Sequence, residues 1–281
     1  MKIDTTSGDF DFTYLSLGAG VQSSALLVLA CIDDRVPKPD VAIFADTGDE
    51  PPWVYEYVEI LRDWAEPHGV PVEVAKKGVL SEWVTDRTRQ GKLFVNVPIF
   101  TLDPDSGKQG MLRRQCTREF KIEPITQKVR ELLGYKPRQR VKHRVRSMLG
   151  ITIDEVSRMK PSWHKWTTNT FPLVDLGLHR HDCFAIMKDA GLPEPQKSAC
   201  VYCPYHSDRY WQWMKDEHPD QFRRAVDFDH AIRDMTMKGG EQPGYVHRSC
   251  VPLDKAEFNA DDPEQLTMFD MAGECEGMCG V

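Results

Sequence analysis

Two strand-to-helix passages at the front of the chain constrain its fold more than any other feature. Residues 13–18 read as a strand, 22–33 as a helix, 40–46 as a strand and 52–66 as a helix, and residues 70–75 supply a third strand. Strands that follow one another at this interval run parallel, because only a helical crossover returns the chain to the same edge, and that helix then covers a sheet face. The helix from Gln22 is apolar nearly all round (Ala25, Leu26, Leu27, Val28, Leu29, Ala30), which suits burial beneath a sheet. Cys31 at its end reads as core. Residues 76–114 lose periodicity, with Gly91, Pro98, Pro104 and Gly107 marking a long irregular connection of the kind that covers sites. A helix over 118–133, strands over 145–151 and 167–173, and helices over 181–190, 208–217 and 219–237 complete the pattern. The expected fold is α/β: a doubly wound, mostly parallel sheet with a helical C-terminal elaboration. The divisions are an α/β domain over 1–180, a cysteine-containing helical part over 181–250, and an acidic tail over 251–281.

Composition narrows the class. At 281 residues and 41% hydrophobic the chain can bury a core, and the longest apolar run, Ala25 to Ile32, falls well short of the roughly 20 residues that a bilayer requires. The first residues, MKIDTTSGDFDF, contain no apolar leader segment, so the reading is cytoplasmic with no membrane partner. In a reducing compartment the 8 cysteines read as ligands, redox groups or buried thiols in preference to disulfides. The net charge of −7 resides in the acidic tail; the segment from Lys136 to Arg146 (KPRQRVKHRVR) carries Lys and Arg with no acid and would attract phosphates, as in tRNA or DNA.

The turn after the first strand, SLGAGVQSS, brings Ser16, Gly18, Gly20, Ser23 and Ser24 to a helix start. Backbone amides and hydroxyls there can cradle an anion, the glycines allow close approach, and the serines serve as helix caps or phosphate-facing hydroxyls. The second strand ends in ADTGDEPP, placing Asp46, Thr47 and Gly48 at the neighbouring carboxyl edge, where open α/β sheets bind ligands. Cys200 and Cys203 form a C-x2-C followed by proline, a spacing that lets two thiolates share one metal or cluster. No histidine pair has metal-binding spacing, and Trp163, Trp166, Trp211 and Trp213 read as packing residues.

SLGAGVQSS, ADTGDEPPWVYEYV, QCTREFKIEPI (115–125), LGITIDEVSRMK (149–160) and SACVYCPYH (198–206) together resemble the phosphoadenosine phosphosulfate (PAPS) reductase-like family of the PP-loop (adenine nucleotide alpha-hydrolase-like) superfamily, over most of the chain up to about residue 215. The resemblance implies a PP-loop (HUP-like) sheet and an adenine nucleotide, ATP with Mg2+, held by Ser16, Gly18, Gly20, Gln22, Ser23, Ser24, Asp46, Thr47, Gly48 and Arg158. One departure concerns magnesium: the loop offers Gln22 where many members have an Asp, leaving Asp46 or Asp49 to supply a carboxylate. It also implies that Cys116 faces the later C-x2-C, with Cys183 preferred to Cys250 as fourth ligand and a three-cysteine centre as the alternative. The family's iron-sulfur members favour a [4Fe-4S] cluster, with zinc as the alternative; Gln115 stands where cluster-bearing reductases have a second Cys. Arg158 would pair with a phosphate or with Asp154 or Glu155.

Three functions follow as expectations. The first is ATP-dependent, [4Fe-4S]-dependent sulfur transfer, adenylation then thiolation, onto a nucleic acid or nucleotide-like acceptor, with Asp46 in a catalytic role and the sulfur or electron donor unspecified. The second is a sulfonucleotide reductase in which tail Cys275 or Cys279 attacks the substrate sulfur and sulfite leaves. The third is a non-catalytic binding protein stapled by its metal.

Overall fold

The structure, a computed structural model, describes residues 9–89, 97–233 and 242–259. Five parallel strands form the main sheet: β1 (Phe12–Leu17), β2 (Val41–Asp46), β3 (Val72–Lys76), β6 (Val145–Leu149) and β7 (Thr167–Thr170), in the order β3-β2-β1-β6-β7. The chain steps outward from β1 to β3, then returns to the other side of β1 for β6 and β7. Direction therefore reverses between β1 and β6, and the carboxyl ends of these strands form the crevice in which sheets of this type bind ligands.

Alternation along β1 shows how the sheet is covered on both faces. Leu15 and Leu17 join Ala42, Phe44, Val72 and Met148 on one face, against α1 (Val21–Ile32), α2 (Pro52–Ala65) and α6 (Arg180–Asp189). Tyr14 joins Val41, Ile43, Ala75 and Val145 on the other, against Ile125 and Val129 of α4 (Glu123–Leu132). A strand buried on both sides has no polar stripe to show, as the all-apolar stretch of β2 illustrates.

Beyond the carboxyl edge lies a second core. It joins α3 (Leu80–Arg89), α7 (Asp208–Glu217) and α8 (Pro219–Ala231) through Leu80, Val84, Tyr202, Trp211, Met214 and Phe228. A small antiparallel sheet, β5-β4-β8, borders it, with β4 at Phe100–Leu102, β5 at Gln109–Met111 and β8 at Gly244–Tyr245. The described parts of 76–114, residues 76–89 and 97–114, are thus less irregular than their sequence suggests. The expected helix over 118–133 begins as a wider π turn, Arg118–Ile122, before α4. Pro124 accounts for this, since its ring would strike the carbonyl of Phe120 in an ordinary α-helix. The last strand stops at Thr170, and Pro172 opens a one-turn helix, α5 (Pro172–Asp175), instead. No helix among the described residues is long and apolar enough to cross a membrane.

Candidate functional site

The β1–α1 turn lies at the crevice and is wholly buried. Gly20 is the residue before the helix, with extended backbone and no side-chain cap. Ser23 and Ser24 neither cap α1 nor face outward. Ser23 Oγ accepts from the Gly18 amide at 3.1 Å and donates to the Gly20 carbonyl, and Ser24 Oγ donates to the same carbonyl at 2.7 Å. Both hydroxyls are spent on shaping the loop, so an anion would meet the first-turn amides of α1 and the positive end of its dipole. Ala19 holds φ at +56° between the two glycines, a conformation that costs an L-residue about 1 kcal/mol. The Ser198 hydroxyl donates to the Gly18 carbonyl, fastening the loop to the segment that carries the cysteines.

Ser16 is 3% exposed, and its Oγ has no hydrogen-bond partner among the described residues. A buried hydroxyl left unsatisfied at the mouth of a sheet fits a polar ligand that completes it. Gln22 is turned away from the mouth: its amide donates to Glu155 at 2.8 Å, and its carbonyl accepts from Arg180 at 3.4 Å. Arg158, expected to meet a phosphate or a neighbouring acid, pairs with Glu155. Sequence spacing gave no sign that Glu155 gathers Gln22 and Arg158 into one network.

At the end of β2, Asp46 accepts from Tyr55 Oη and the Gly48 amide, both at 2.7 Å, and from Lys76 Nζ at 2.6 Å. Burial and this carboxylate hold the Tyr55 phenol protonated far above its usual range. Gly48 sits at φ +78°, its position for a Cβ only 2.9 Å from Val79 Cα, so no other residue fits. Asp49 is more heavily tethered. It accepts from the Ser81 amide (2.6 Å) and hydroxyl (2.9 Å) and from Tyr202 Oη (2.7 Å), with Arg224 at 3.6 Å. The carboxylates of Asp46 and Asp49 are both engaged by neighbouring donors. A divalent cation here would rest chiefly on phosphates and water.

Cys200 reaches the same edge. Its Sγ lies 3.3 Å from Thr47 Oγ1, and the amide of Val201 donates to the Asp49 carbonyl at 2.9 Å. Beside it a buried ion pair joins Glu50 to Lys121 at 3.2 Å, with 0% and 4% side-chain exposure. Burial, then the Glu50 charge, push the Cys200 thiol well above its ordinary pKa, and Lys121 opposes them. Sequence reasoning missed this pair because its members come from distant segments.

Cys116 packs partly buried against the second core, as Cys200 does, near Tyr202. Cys203 lies half-buried at the end of the C-x2-C turn, near Tyr210. Cys183 does not join them. It is fully buried in the core beneath the main sheet, its Sγ directed at the His179 carbonyl, so the fourth-ligand assignment gives way to packing. Cys250 is also buried, beside the Thr101 carbonyl. No three His, Cys, Asp or Glu side chains among the described residues are grouped to hold a metal ion. Cys275 and Cys279 lie outside the described residues. The basic segment 136–146 leads into the amino end of β6, at the opposite edge of the sheet from this site.

No family model matches the chain, and no curated protein matches it. Among solved structures it is similar to the phosphate complex of a phosphoadenylyl-sulfate (PAPS) reductase from Candida auris, at 14% identity and a TM-score of 0.40, over 66% of this chain and 76% of that chain.

Proposed function

We propose that the protein is an adenine-nucleotide-dependent enzyme of sulfur transfer. ATP phosphates rest on the amides that open α1, and Cys200 stands at the same sheet edge, where external sulfide meets the activated acceptor. The observation that carries this reading is the contact of Cys200 Sγ with Thr47 Oγ1, at 3.3 Å, beside a loop whose Ser16 hydroxyl awaits a partner. An acceptor oxygen attacks the α-phosphorus and pyrophosphate leaves; a sulfur nucleophile at the sulfide level then attacks the activated carbon and AMP leaves. Activation is needed because an amide-type oxygen is a poor leaving group.

The chain's own residues supply binding and orientation. The α1 amides carry the phosphates, Lys76 brings positive charge to the end of β2, and Asp46 holds Lys76 in place. Burial keeps Cys200 a protonated thiol, so it serves to position the acceptor and the incoming sulfide, and the sulfide itself is the nucleophile. No step passes through a metal cluster.

The test is product analysis with the full chain. ATP, a sulfide source and candidate acceptors should yield AMP and pyrophosphate, and Cys200→Ala should abolish thiolation while ATP still binds. Sulfite released from a sulfonucleotide would replace this reading with reduction. Failure to bind either nucleotide at millimolar concentration would end both.

A further inference from the structure

Away from the crevice, the structure carries positive charge that nothing in the described chain neutralises. Lys136, Arg138, Arg140, Lys142, Arg144 and Lys165 are all exposed, and none forms an ion pair among the described residues. Their loop is held in a defined shape. Arg130 donates to the carbonyls of Lys136 and Gln139, both at 2.8 Å, while Tyr135 Oη accepts from the Lys142 amide at 2.9 Å and bonds His143 Nδ1 at 2.6 Å. Keeping so many like charges in one fixed loop is unfavourable without an anionic partner.

Arg140, Lys142, Arg144 and Lys165 border a cleft of about 670 Å3 whose wall includes Trp166. Arg130 also lines a second hollow of about 350 Å3, and His164 and Glu123 carry this into a third of about 270 Å3 that ends at Arg118 and Trp163. Together they form a trough along α4, on the order of 15 Å for its ten residues, leading from the basic loop to a point two residues from Cys116. Aromatic rings interrupt it. Trp163 is 67% exposed with the Arg118 guanidinium 5.5 Å from its ring, and His164 stacks with Trp166 at 5.4 Å. Two acids also line the trough, but Glu123 is engaged by Lys77 and Arg118, and Glu131 by Gln127.

We propose that this trough binds a single-stranded stretch of nucleic acid, with its phosphates on the 136–144 loop and Lys165, its bases on Trp166 and Trp163, and its path directed along α4 toward the cysteine edge. Cations alternating with open rings are the pattern that single strands use, since every base offers a face to stack and every linkage a phosphate. A duplex hides its base faces. A membrane surface is flat, whereas these rings sit inside a concavity. The trough's purpose, presenting an acceptor, rests on the sulfur-transfer reading; the binding itself does not.

The experiment measures fluorescence anisotropy of a labelled oligonucleotide of about 15 nucleotides, as oligo(U) and oligo(dT), with the full chain across a salt series. A duplex of equal length and phosphatidylserine vesicles serve as competing partners, and ATP binding is measured by equilibrium dialysis on the same samples. The single strands should bind. Arg140→Glu/Lys142→Glu should weaken them at least tenfold and reduce the salt slope by about 1.4, the share of two phosphate contacts. Trp163→Ala should weaken them about fivefold to a hundredfold with the slope unchanged. ATP binding should persist in all variants.

The proposal is overturned by no binding up to about 100 µM at low salt, by preference for the duplex, by vesicle binding that the charge reversal abolishes while oligonucleotides fail to bind, or by a double variant that binds as well as the parent. Loss of ATP binding in the parent with oligonucleotide binding intact would instead defeat the sulfur-transfer reading alone.

Discussion

Gly150→Ala tests whether the β1–α1 turn is held in shape by its neighbour. Gly150 follows β6, and a Cβ built on it lies 2.7 Å from Ser23 N, 2.8 Å from Ser23 Cα and 3.0 Å from Gln22 C. All three atoms are backbone, so no side chain can swing aside, and the first turn of α1 must shift by several tenths of an ångström. Gly150 is not among the residues with positive φ, so alanine carries no conformational penalty of its own there and the contact alone is tested. Overpacking of this kind costs about 1–3 kcal/mol, equivalent to roughly 2–12 °C in the melting temperature of a chain this size. The functional loss should be larger than the stability loss, because the displaced amides are those assigned to the phosphates. Thermal unfolding by circular dichroism and equilibrium dialysis with ATP measure the two effects. A variant that melts within about 1 °C of the parent and binds ATP equally well would refute the reasoning.

Lys121→Met removes the buried cation paired with Glu50, with an expected loss of about 3–5 kcal/mol; adding Glu50→Gln should recover most of it, as read by the urea midpoint of each variant. Cys183→Ala should cost about 1 kcal/mol through lost packing and leave the iron and zinc content by mass spectrometry unchanged, since this thiol sits in the sub-sheet core. Burial raises the Tyr14 phenol to about 12. A folded-state value above the unfolded one of about 10 means that its contribution is complete below pH 10 and fades as pH climbs toward 12, by at most about 2.7 kcal/mol. Urea titrations across that range should show the decline, and Tyr14→Phe should lessen it by the Tyr14 share, leaving those of other raised phenols such as Tyr57.

The parallel sheet was legible because its evidence is local. Apolar strands and a helix apolar all round appear within windows of six to twelve residues, and each expected strand is present. The order β3-β2-β1-β6-β7 was not legible, since neighbours are chosen by contacts between distant segments. Helix α3 escaped notice because Leu80, Trp83 and Val84 are its main apolar side chains in a polar stretch, and they find their partners only in the second core. At the site, Gly18, Gly20, Asp46, Thr47 and Cys200 could be located from their positions after strands or in a C-x2-C turn. The directions of their neighbours could not. Whether Ser23 faces a ligand or its own loop is decided by bonds to Gly18 and Gly20, and Gln22 is turned aside by Glu155 from beyond β6. Cys116 and Cys183 both stand near helix starts, yet they lie against different cores, a distinction that depends on tertiary packing alone.

Asp49 gives the molecule a mechanical property. One carboxylate fastens the start of α3, the tyrosine of the cysteine turn and an arginine of α8, while its own carbonyl grips the adjoining amide of Val201. A group with so many moorings cannot rotate to greet a ligand. The β2 tip, the cysteine turn and the helices α3 and α8 are therefore tied together at one carboxylate.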